Sequence, residues 1–263
     1  MRSSGTVLIW ASVATILGFL FIPVIIIVVY SFSAAPIPAW PIAGFALHWF
    51  ADTWHDEEVR QALALSLEVA AVATAMAILL GTLAAMAVAR MQSVGREVVS
   101  FVAVLPIALP GILTGMALAA YFAFWGVSLS YWTIVAGHAT FCVVIVYNNV
   151  IARLRRLPRS LTEASADLGA DAFLTFRRVQ LPMMASAIGA GALLAFALSF
   201  DEVIVTTFTA GAQNTLPLWI FGAIRLGQKL PEVNVVVFAV ILFTSIPVLL
   251  AQKLIGESGA AAR

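Results

Sequence analysis

Charged side chains are scarce in this sequence: they make up 10% of its 263 residues, whereas hydrophobic residues make up 62%. Soluble domains carry about a quarter charged residues, so the composition predicts an integral membrane protein. The single cysteine, Cys142, excludes an internal disulfide, and its apolar surroundings favour a small buried side chain. The formal net charge of +1, without a basic run, predicts no nucleic-acid partner.

The sequence also lacks the motifs of an ATP-hydrolysing or metal-dependent enzyme. The segment nearest to a phosphate-binding loop has its two glycines at Gly222 and Gly227. It lacks the Lys-Ser/Thr pair that must follow the second glycine. Three scattered histidines and one cysteine form no metal-ligand pattern. We therefore expect a chain that is not an enzyme by itself and binds no cofactor of its own.

Six apolar segments are long enough to cross about 30 Å of hydrocarbon, which takes roughly 20 residues of helix. They are residues 7–31, 62–89, 98–125, 131–152, 185–208 and 234–254. The first is longer than the apolar core of a cleaved signal peptide, so we expect it to remain as a span. Pro106 and Pro110 are expected to bend or interrupt the third. The sequence predicts an all-α protein with six transmembrane helices in a single transmembrane domain, residues 1–263.

Basic residues are distributed unequally between the two ends of these spans. If the six spans alternate, only Arg60, Arg225 and Lys229 fall on one side. The other side receives Arg2, Arg90, Arg96, Arg153, Arg155, Arg156, Arg159, Arg177, Arg178, Lys253 and Arg263. By the positive-inside rule, both termini and the loop 153–184 are expected to face the cytoplasm.

Residues 160–182 form a polar, amphipathic segment between two apolar spans. Ser160 and Glu163 have the S-x-x-E spacing of a capping box, which predicts a helix start. Apolar and acidic residues each recur every four positions, which predicts two stripes along this segment. The apolar residues are Leu168, Ala172 and Phe176, and the acidic ones are Glu163, Asp167 and Asp171. An uncovered apolar stripe facing the cytoplasm predicts docking into a groove of another protein.

The same segment resembles the EAA loop of ABC importer permeases, whose pattern is E-A-A-x3-G-x9-I-x-L-P. The matching positions are Glu163, Ala164, Gly169, Leu181 and Pro182, with Ser165 in place of alanine and Val179 in place of isoleucine. The alternative is an ordinary capped loop helix. At Gly169 the pattern indicates either a close approach or turn, or a simple helix C-terminus.

In the permease family this segment is the coupling helix, which seats in a cleft of the ATP-hydrolysing subunit. The resemblance therefore implies a type I ABC importer permease fold with a cytoplasmic coupling helix. It also implies a set of residues that couple the chain to its ATPase. These are Glu163, Ala164, Asp167, Leu168, Gly169, Leu181 and Pro182.

Two adjacent carboxylates, Asp201 and Glu202, lie in the predicted fifth span. Because acidic side chains facing lipid are costly, a water-filled pathway that attracts a cationic solute is one interpretation. The alternatives are that the helix ends earlier and both acids are solvated at its rim, or that Asp201 pairs with another helix. Glu68 and Trp219 are further candidates for the pathway, although Glu68 equally fits an outward-pointing side chain. His138, in the fourth span, is expected to bond a neighbouring helix rather than to shuttle protons.

Residues 199–211, with 216–218 and 231–234, are similar to the second permease of polyamine-type importers, the spermidine and putrescine group. The similarity covers nearly the whole chain and extends to importers of opines, 4-aminobutyrate and other small solutes. It implies two cytoplasmic ATP-binding subunits that carry ATP and Mg, an extracytoplasmic solute-binding protein, and a second permease, expected to be a different chain. Val143 and Val144 stand where relatives often have a proline, so we expect the fourth helix to bend less.

Two other classes of protein remain as alternatives. A secondary transporter driven by an ion gradient would need ionisable residues in the membrane, and Asp201, Glu202 and His138 meet that need. A membrane scaffold that only recruits a cytoplasmic partner would leave these residues unexplained. The main prediction is a permease subunit in a bacterial inner membrane.

Overall fold

The computed structural model describes residues 4–42, 44–91 and 94–260, without the side chains of Ser4, Val94, Arg96, Ala103, Arg159 and residues 246–260. Arg2 and Arg263, which contributed to the predicted orientation, lie outside the described residues. The helices, in chain order, are α1 (Ser4–Tyr30), α2 (His48–His55), α3 (Glu57–Arg90), α4 (Val94–Ala108), α5 (Gly111–Phe124), α6 (Tyr131–Leu154), α7 (Arg159–Asp167), α8 (Ala172–Thr175), α9 (Leu181–Phe200), α10 (Ile204–Thr209), α11 (Leu216–Leu226) and α12 (Leu230–Ala260). Apart from an isolated bridge between Ser33 and Phe45, the described residues form no β-structure, which confirms the all-α class.

Within the described residues, four helical stretches are long and apolar enough to cross a membrane. They are Gly5–Tyr30, Glu57–Arg90, Tyr131–Leu154 and Ala172–Phe200, and they contain or overlap the first, second, fourth and fifth predicted spans. The first helix continues through Pro23, which neighbouring backbone groups tolerate in a membrane helix. The sixth predicted span, 234–254, falls in α12, whose apolar part with described side chains ends at Ser245.

The third predicted span, 98–125, is not one continuous helix. Helices α4 and α5 meet at a 101° bend, with Leu109 and Pro110 between them. Pro110 has no N–H to donate and disfavours a helical conformation of the residue before it, so the chain turns there and α5 begins at Gly111. The predicted interruption is confirmed, and the pair counts as a fifth span only if both helices are taken together.

The structure divides into two compact units, the larger of which contains residues 61–219. Its core is organised around α6, which runs unbroken past Val143. A Cβ on Gly81 would lie 2.7 Å from the carbonyl oxygen of Val143, and a Cβ on Gly191 would lie 3.1 Å from the Cα of Val146. Small residues therefore let α3 and α9 approach the α6 backbone. The Cys142 side chain is fully buried in this core, which confirms its predicted burial.

The other unit contains the described residues before 61 and those from 220 onward. Phe32, Phe50 and Phe238 form an aromatic cluster, with ring centroids 5.2 to 6.0 Å apart. Nearby, the indole N–H of Trp49 donates to the carbonyl oxygen of Ser33 over 3.0 Å. This cluster attaches the segment after α1 to α2 and α12.

Lys229 connects two segments of the same unit on their polar side. Its Nζ lies 2.7 Å from Asp56 Oδ2 and 2.8 Å from Glu58 Oε2. Burial raises the pKa of Asp56, but the hydrogen bond and charge from Lys229 and the backbone N–H groups of Glu58 and Val59 outweigh burial and hold that pKa below its ordinary value. Hydrogen bonds to Asp56 and Glu58 raise the pKa of Lys229.

We expect Lys229→Ala to destabilise the protein more than Lys229→Gly. Both substitutions remove ion pairs whose exposure limits them to about 1 kcal/mol or less. Lys229 has a φ of +51°, a left-handed conformation that costs a non-glycine residue about 1 kcal/mol and that glycine adopts freely. Thermal unfolding of the purified protein in detergent measures the difference. Equal destabilisation by the two substitutions would contradict the backbone argument.

The pKa shifts also set the pH range over which this ion-pair cluster is stabilising. The lowered pKa of Asp56 gives stability that is present above the unfolded carboxyl value of about 4 and is lost as pH falls through the folded value. The raised pKa of Lys229 gives stability that is complete below the unfolded value of about 10.4 and is lost as pH rises through the folded value. The stability difference between wild type and Lys229→Gly should therefore be constant between about pH 5 and pH 10. A change in that difference between pH 6 and pH 8 would contradict this account.

Candidate functional site

The predicted coupling segment begins with α7, but not with the predicted capping box. Pro158 occupies the N-cap position with an extended ψ of 131° and makes no side-chain cap. Because proline has a fixed φ and no N–H, it favours a helix start directly after it, and α7 begins at Arg159, one residue before Ser160. Ser160 and Glu163 then lie within the first two turns, so the capping box predicted for them is wrong. Glu163 and Ala164 remain exposed on this helix.

Helix α7 ends in a turn that requires glycine. The N–H of Gly169 donates to Ala166 O over 2.9 Å, and the N–H of Ala170 donates to Ser165 O over 3.1 Å. These are the two hydrogen bonds of a Schellman motif, and Gly169 supplies the left-handed residue with a φ of +80°. No atom of the described chain lies within 4 Å of where its Cβ would stand. Of the alternatives for Gly169, the structure shows a turn at the end of a helix.

This turn also separates residues that the sequence analysis had placed on common stripes. Asp167 ends α7, and Asp171 is the N-cap of α8, where its side chain accepts a hydrogen bond from the Leu174 N–H over 2.7 Å. The apolar stripe is divided in the same way: Leu168 is 89% exposed, whereas Phe176 packs against the buried core. The single helix predicted through this segment is therefore wrong, because the left-handed Gly169 ends α7 and a new helix begins at Ala172.

Ser165, which replaces the alanine of the EAA pattern, makes a hydrogen bond that alanine could not make. The Ser165 hydroxyl lies 2.9 Å from the hydroxyl of the buried Thr175, so a hydrogen bond attaches α7 to α8. Thr175 had not been singled out in the sequence. The bond contributes about 1 kcal/mol to the stability of the turn, as neutral side-chain hydrogen bonds do.

Leu181 and Pro182 follow a π-helical turn, Phe176–Gln180. The N–H of Leu181 donates to Phe176 O, five residues earlier. Because Pro182 has no N–H for the carbonyl four residues before it, the wider turn accommodates the missing donor. The motif proline thus has a visible effect on the backbone that joins the coupling segment to α9.

Beneath α7 lies a cavity of about 760 Å³. Glu163 and Thr162 line it from α7, while Arg90 and Arg155 contribute positive charge from the ends of α3 and α6. The remaining lining includes apolar residues such as Met86. The cavity therefore has a mixed polar and apolar lining that includes Glu163 of the EAA pattern.

The second candidate site is a break in the predicted fifth span. Helix α9 ends at Phe200, and α10 begins only at Ile204, so the prediction of a continuous helix over 185–208 is wrong. Asp201 lies at the C-cap of α9 and is exposed, and its carboxylate makes no hydrogen bond or ion pair with the described residues. Glu202 accepts a hydrogen bond from the Val205 N–H over 2.9 Å. The two acids therefore have different environments, and Glu202 stabilises the start of α10.

The other candidate pathway residues lie in separate elements. Glu68 is exposed on α3, whereas Trp219 on α11 is only 7% exposed. Ser66, two residues before Glu68, accepts a hydrogen bond from the Leu216 N–H over 2.7 Å and so attaches the start of α11 to α3. His138 bonds Ser199 on α9 and Thr206 on α10, which confirms the prediction of a bond to neighbouring helices. Neither hydroxyl had been singled out in the sequence.

Comparisons with known proteins agree with this geometry. Residues 77–255 match the family described as binding-protein-dependent transport system inner membrane component. The putrescine transport system permease protein PotI of Escherichia coli is 35% identical over 236 residues, which cover 86% of this chain and 83% of that protein. The spermidine/putrescine transport system permease protein PotC of the same species is 32% identical over 244 residues, which cover 92% and 91%.

A solved structure shares the fold despite low sequence identity. A chain of the crystal structure of a bacterial ABC transporter involved in the import of the acidic polysaccharide alginate superposes with a TM-score of 0.68 at 16% identity, and the match covers 98% of each chain. This likeness concerns the fold alone. The family match over residues 77–255 and the identities to the two relatives show the family. This chain belongs to the binding-protein-dependent inner membrane components, the permease subunits of ABC importers.

Proposed function

We propose that this chain forms part of the membrane pathway for a small cationic solute, a polyamine such as putrescine or spermidine. The named activities of the two relatives support this solute class. Within the chain, the support is Asp201, an exposed carboxylate at a break in a membrane helix. In a low-dielectric passage such a group attracts amines through charge-assisted hydrogen bonds.

Transport is driven, in this proposal, by a pair of cytoplasmic ATP-binding subunits that hold ATP and Mg. The observation that carries this part is the exposed turn between α7 and α8, where Leu168 is 89% exposed beside the left-handed Gly169. An apolar side chain this exposed, in a turn held by two backbone hydrogen bonds, fits a preformed docking surface for another protein. Closure of the ATPase pair then moves this turn and, through the π-helical turn, α9.

The remaining parts of the proposal concern the assembly and its orientation. The chain pairs with a second permease, a different polypeptide, and receives solute from an extracytoplasmic binding protein. It lies in a bacterial inner membrane with both termini in the cytoplasm, the orientation favoured by the distribution of its basic residues. It contributes no catalytic residue and binds no cofactor of its own.

Affinity purification of the tagged chain from its native membrane, followed by mass spectrometry, tests the proposed assembly. We expect to recover an ATP-binding subunit and a second permease. A binding protein recovered with them is then screened against polyamines, 4-aminobutyrate and amino acids. A chain that is purified alone and moves solute in liposomes without ATP would instead support an ion-driven transporter.

A further inference from the structure

His138 connects the two sides of the break in the fifth span. It lies in the interior of α6 and is 1% exposed. Its Nδ1 lies 2.8 Å from the hydroxyl of Ser199, in the last turn of α9, and its Nε2 lies 2.8 Å from the hydroxyl of Thr206, in the first turn of α10. One side chain on α6 therefore holds the last turn of α9 and the first turns of α10.

The hydrogen bonds define a single direction through this network. Thr206 donates its only hydroxyl hydrogen to Glu202 O over 2.7 Å, so its oxygen accepts from the Nε2–H of His138. In a neutral imidazole, which has one N–H, the Nδ1 of His138 then accepts the hydroxyl hydrogen of Ser199, and both ring nitrogens are bonded. The chain of bonds ends on the Glu202 carbonyl, inside the break itself.

Two further contacts fix α10 against α6. The hydroxyl of Thr133 lies 2.7 Å from both Thr209 O and Ser130 O and shares its single hydrogen between these two carbonyls. A Cβ on Gly137 would lie 3.0 Å from Val205 Cγ1, so the two helices already touch at that point. On the α9 side, the Cys142 thiol donates to Ala195 O over 3.4 Å. Helices α9 and α10, on the two sides of the break, are thus both held against α6. The backbone of the residues between them is therefore restricted in position.

We propose that His138 is a positioning residue, which holds the break between α9 and α10 so that the Asp201 carboxylate stands in the solute pathway. Among the described residues the Asp201 carboxylate has no side-chain partner, so its place is determined by the anchors at Ser199 and Thr206. Glu202 is held separately by its bond to the Val205 N–H. This inference rests on the proposed transport function, but the geometry that it predicts can be measured without transport.

The transport test is a double-mutant cycle in the complete importer with saturating binding protein. His138→Phe keeps a ring of similar size and removes both hydrogen bonds, and we expect it to reduce the maximal uptake of the amine about tenfold or more, because small misplacements of a binding group have large effects. In an Asp201→Asn background the same substitution should reduce uptake only about twofold or less, because the carboxylate that it positions is already gone. Equal reductions in both backgrounds would assign His138 a general structural role and overturn the inference.

Two further variants keep the inference testable if His138→Phe does not fold. Ser199→Ala removes only the α9 bond and should give an intermediate reduction that is again smaller in the Asp201→Asn background. His138→Gln retains a donor near Thr206 and should restore part of the uptake lost in His138→Phe. If His138→Gln matches His138→Phe while both fold, the bond to Thr206 is not what positions the break.

A labelling experiment separates this inference from the proposed function. The chain has one native cysteine, Cys142, which is buried, so an introduced Asp201→Cys thiol dominates the reaction of this chain with a charged methanethiosulfonate, which is read on this subunit after the complex is separated. His138→Phe should change the labelling rate at position 201 about threefold or more but leave a Ser128→Cys control in the exposed loop before α6 unchanged. An unchanged rate at 201 overturns the positioning role, whatever Asp201→Asn does to uptake. A changed rate with normal uptake by Asp201→Asn supports the positioning role and contradicts the proposed pathway.

Discussion

Gly169→Asp should reduce uptake about tenfold or more while the protein still inserts into the membrane, a loss typical of a side chain placed in the centre of a protein interface. Apart from the two neighbouring residues, no part of the described chain lies within 4 Å of the Cβ position, so in this subunit the substitution costs only the strain of the left-handed backbone. The added carboxylate instead projects from the exposed turn toward the proposed ATPase. Uptake by whole cells, with the amount of membrane-inserted protein determined in parallel, measures the effect.

The chain supplies a matched control for the backbone effect. Gly126, in the loop between α5 and α6, has a φ of +65° and likewise nothing within 4 Å of its Cβ position. Gly126→Asp imposes the same left-handed strain, about 1 kcal/mol, away from the coupling segment. We expect uptake close to wild type from Gly126→Asp. Equal losses from the two substitutions would show that strain alone is responsible and would contradict docking at Gly169.

A third substitution distinguishes the shape of the turn from its contact with a partner. Asparagine tolerates the left-handed conformation better than alanine but places a larger side chain on the exposed surface. If the ATPase covers this surface, Gly169→Asn should reduce uptake more than Gly169→Ala. The reverse order would mean that only the backbone conformation matters.

Asp201→Asn should reduce the uptake of a cationic solute about tenfold, because a charge-assisted hydrogen bond is worth about 1.5 to 3 kcal/mol. The comparison solute is the mono-acetylated form of the same amine, which carries one positive charge fewer. Its uptake should fall about twofold or less, since it depends less on the carboxylate. Both are measured as maximal rates with saturating binding protein, so that the affinity of the binding protein does not mask the effect.

Glu202→Gln is the control for this second prediction. Glutamine keeps an oxygen that can accept the Val205 N–H, so the start of α10 should be preserved and both solutes should be transported nearly as in wild type. Equal reductions for the amine and its acetylated form in Asp201→Asn would remove the electrostatic role assigned to Asp201.

The sequence carried enough information to place the coupling segment but not to describe its shape. The motif positions from Glu163 to Pro182 and the exposed position of Leu168 follow from local residue types. The prediction of two stripes was wrong because a four-residue periodicity assumes a continuous helix. Helix α7 ends after nine residues, before Gly169, whose φ is positive. The capping box failed because Pro158 moved the helix start, a local effect that the S-x-x-E spacing does not include.

The break after Phe200 was harder to predict, since the apolar residues before and after the two acids together have the length of one membrane span. The bonds that hold it join His138 to residues 61 and 68 positions away, and such pairings have no local signature. The closest signal was the acidic pair itself, because two carboxylates in a membrane span are costly unless the helix opens there. The structure supports the alternative that the fifth helix ends before the two acids, since α9 ends at Phe200.

The central claim is that this permease chain couples ATP hydrolysis to solute entry, and reconstitution tests it most directly. The chain is placed in liposomes with its second permease and ATP-binding subunits, and the uptake of labelled amine is followed with the liganded binding protein outside and ATP inside. We predict uptake that requires both ATP and the binding protein and is lost in Gly169→Asp but not in Gly126→Asp. Uptake that continues without ATP, or that is unaffected by Gly169→Asp, would contradict the account.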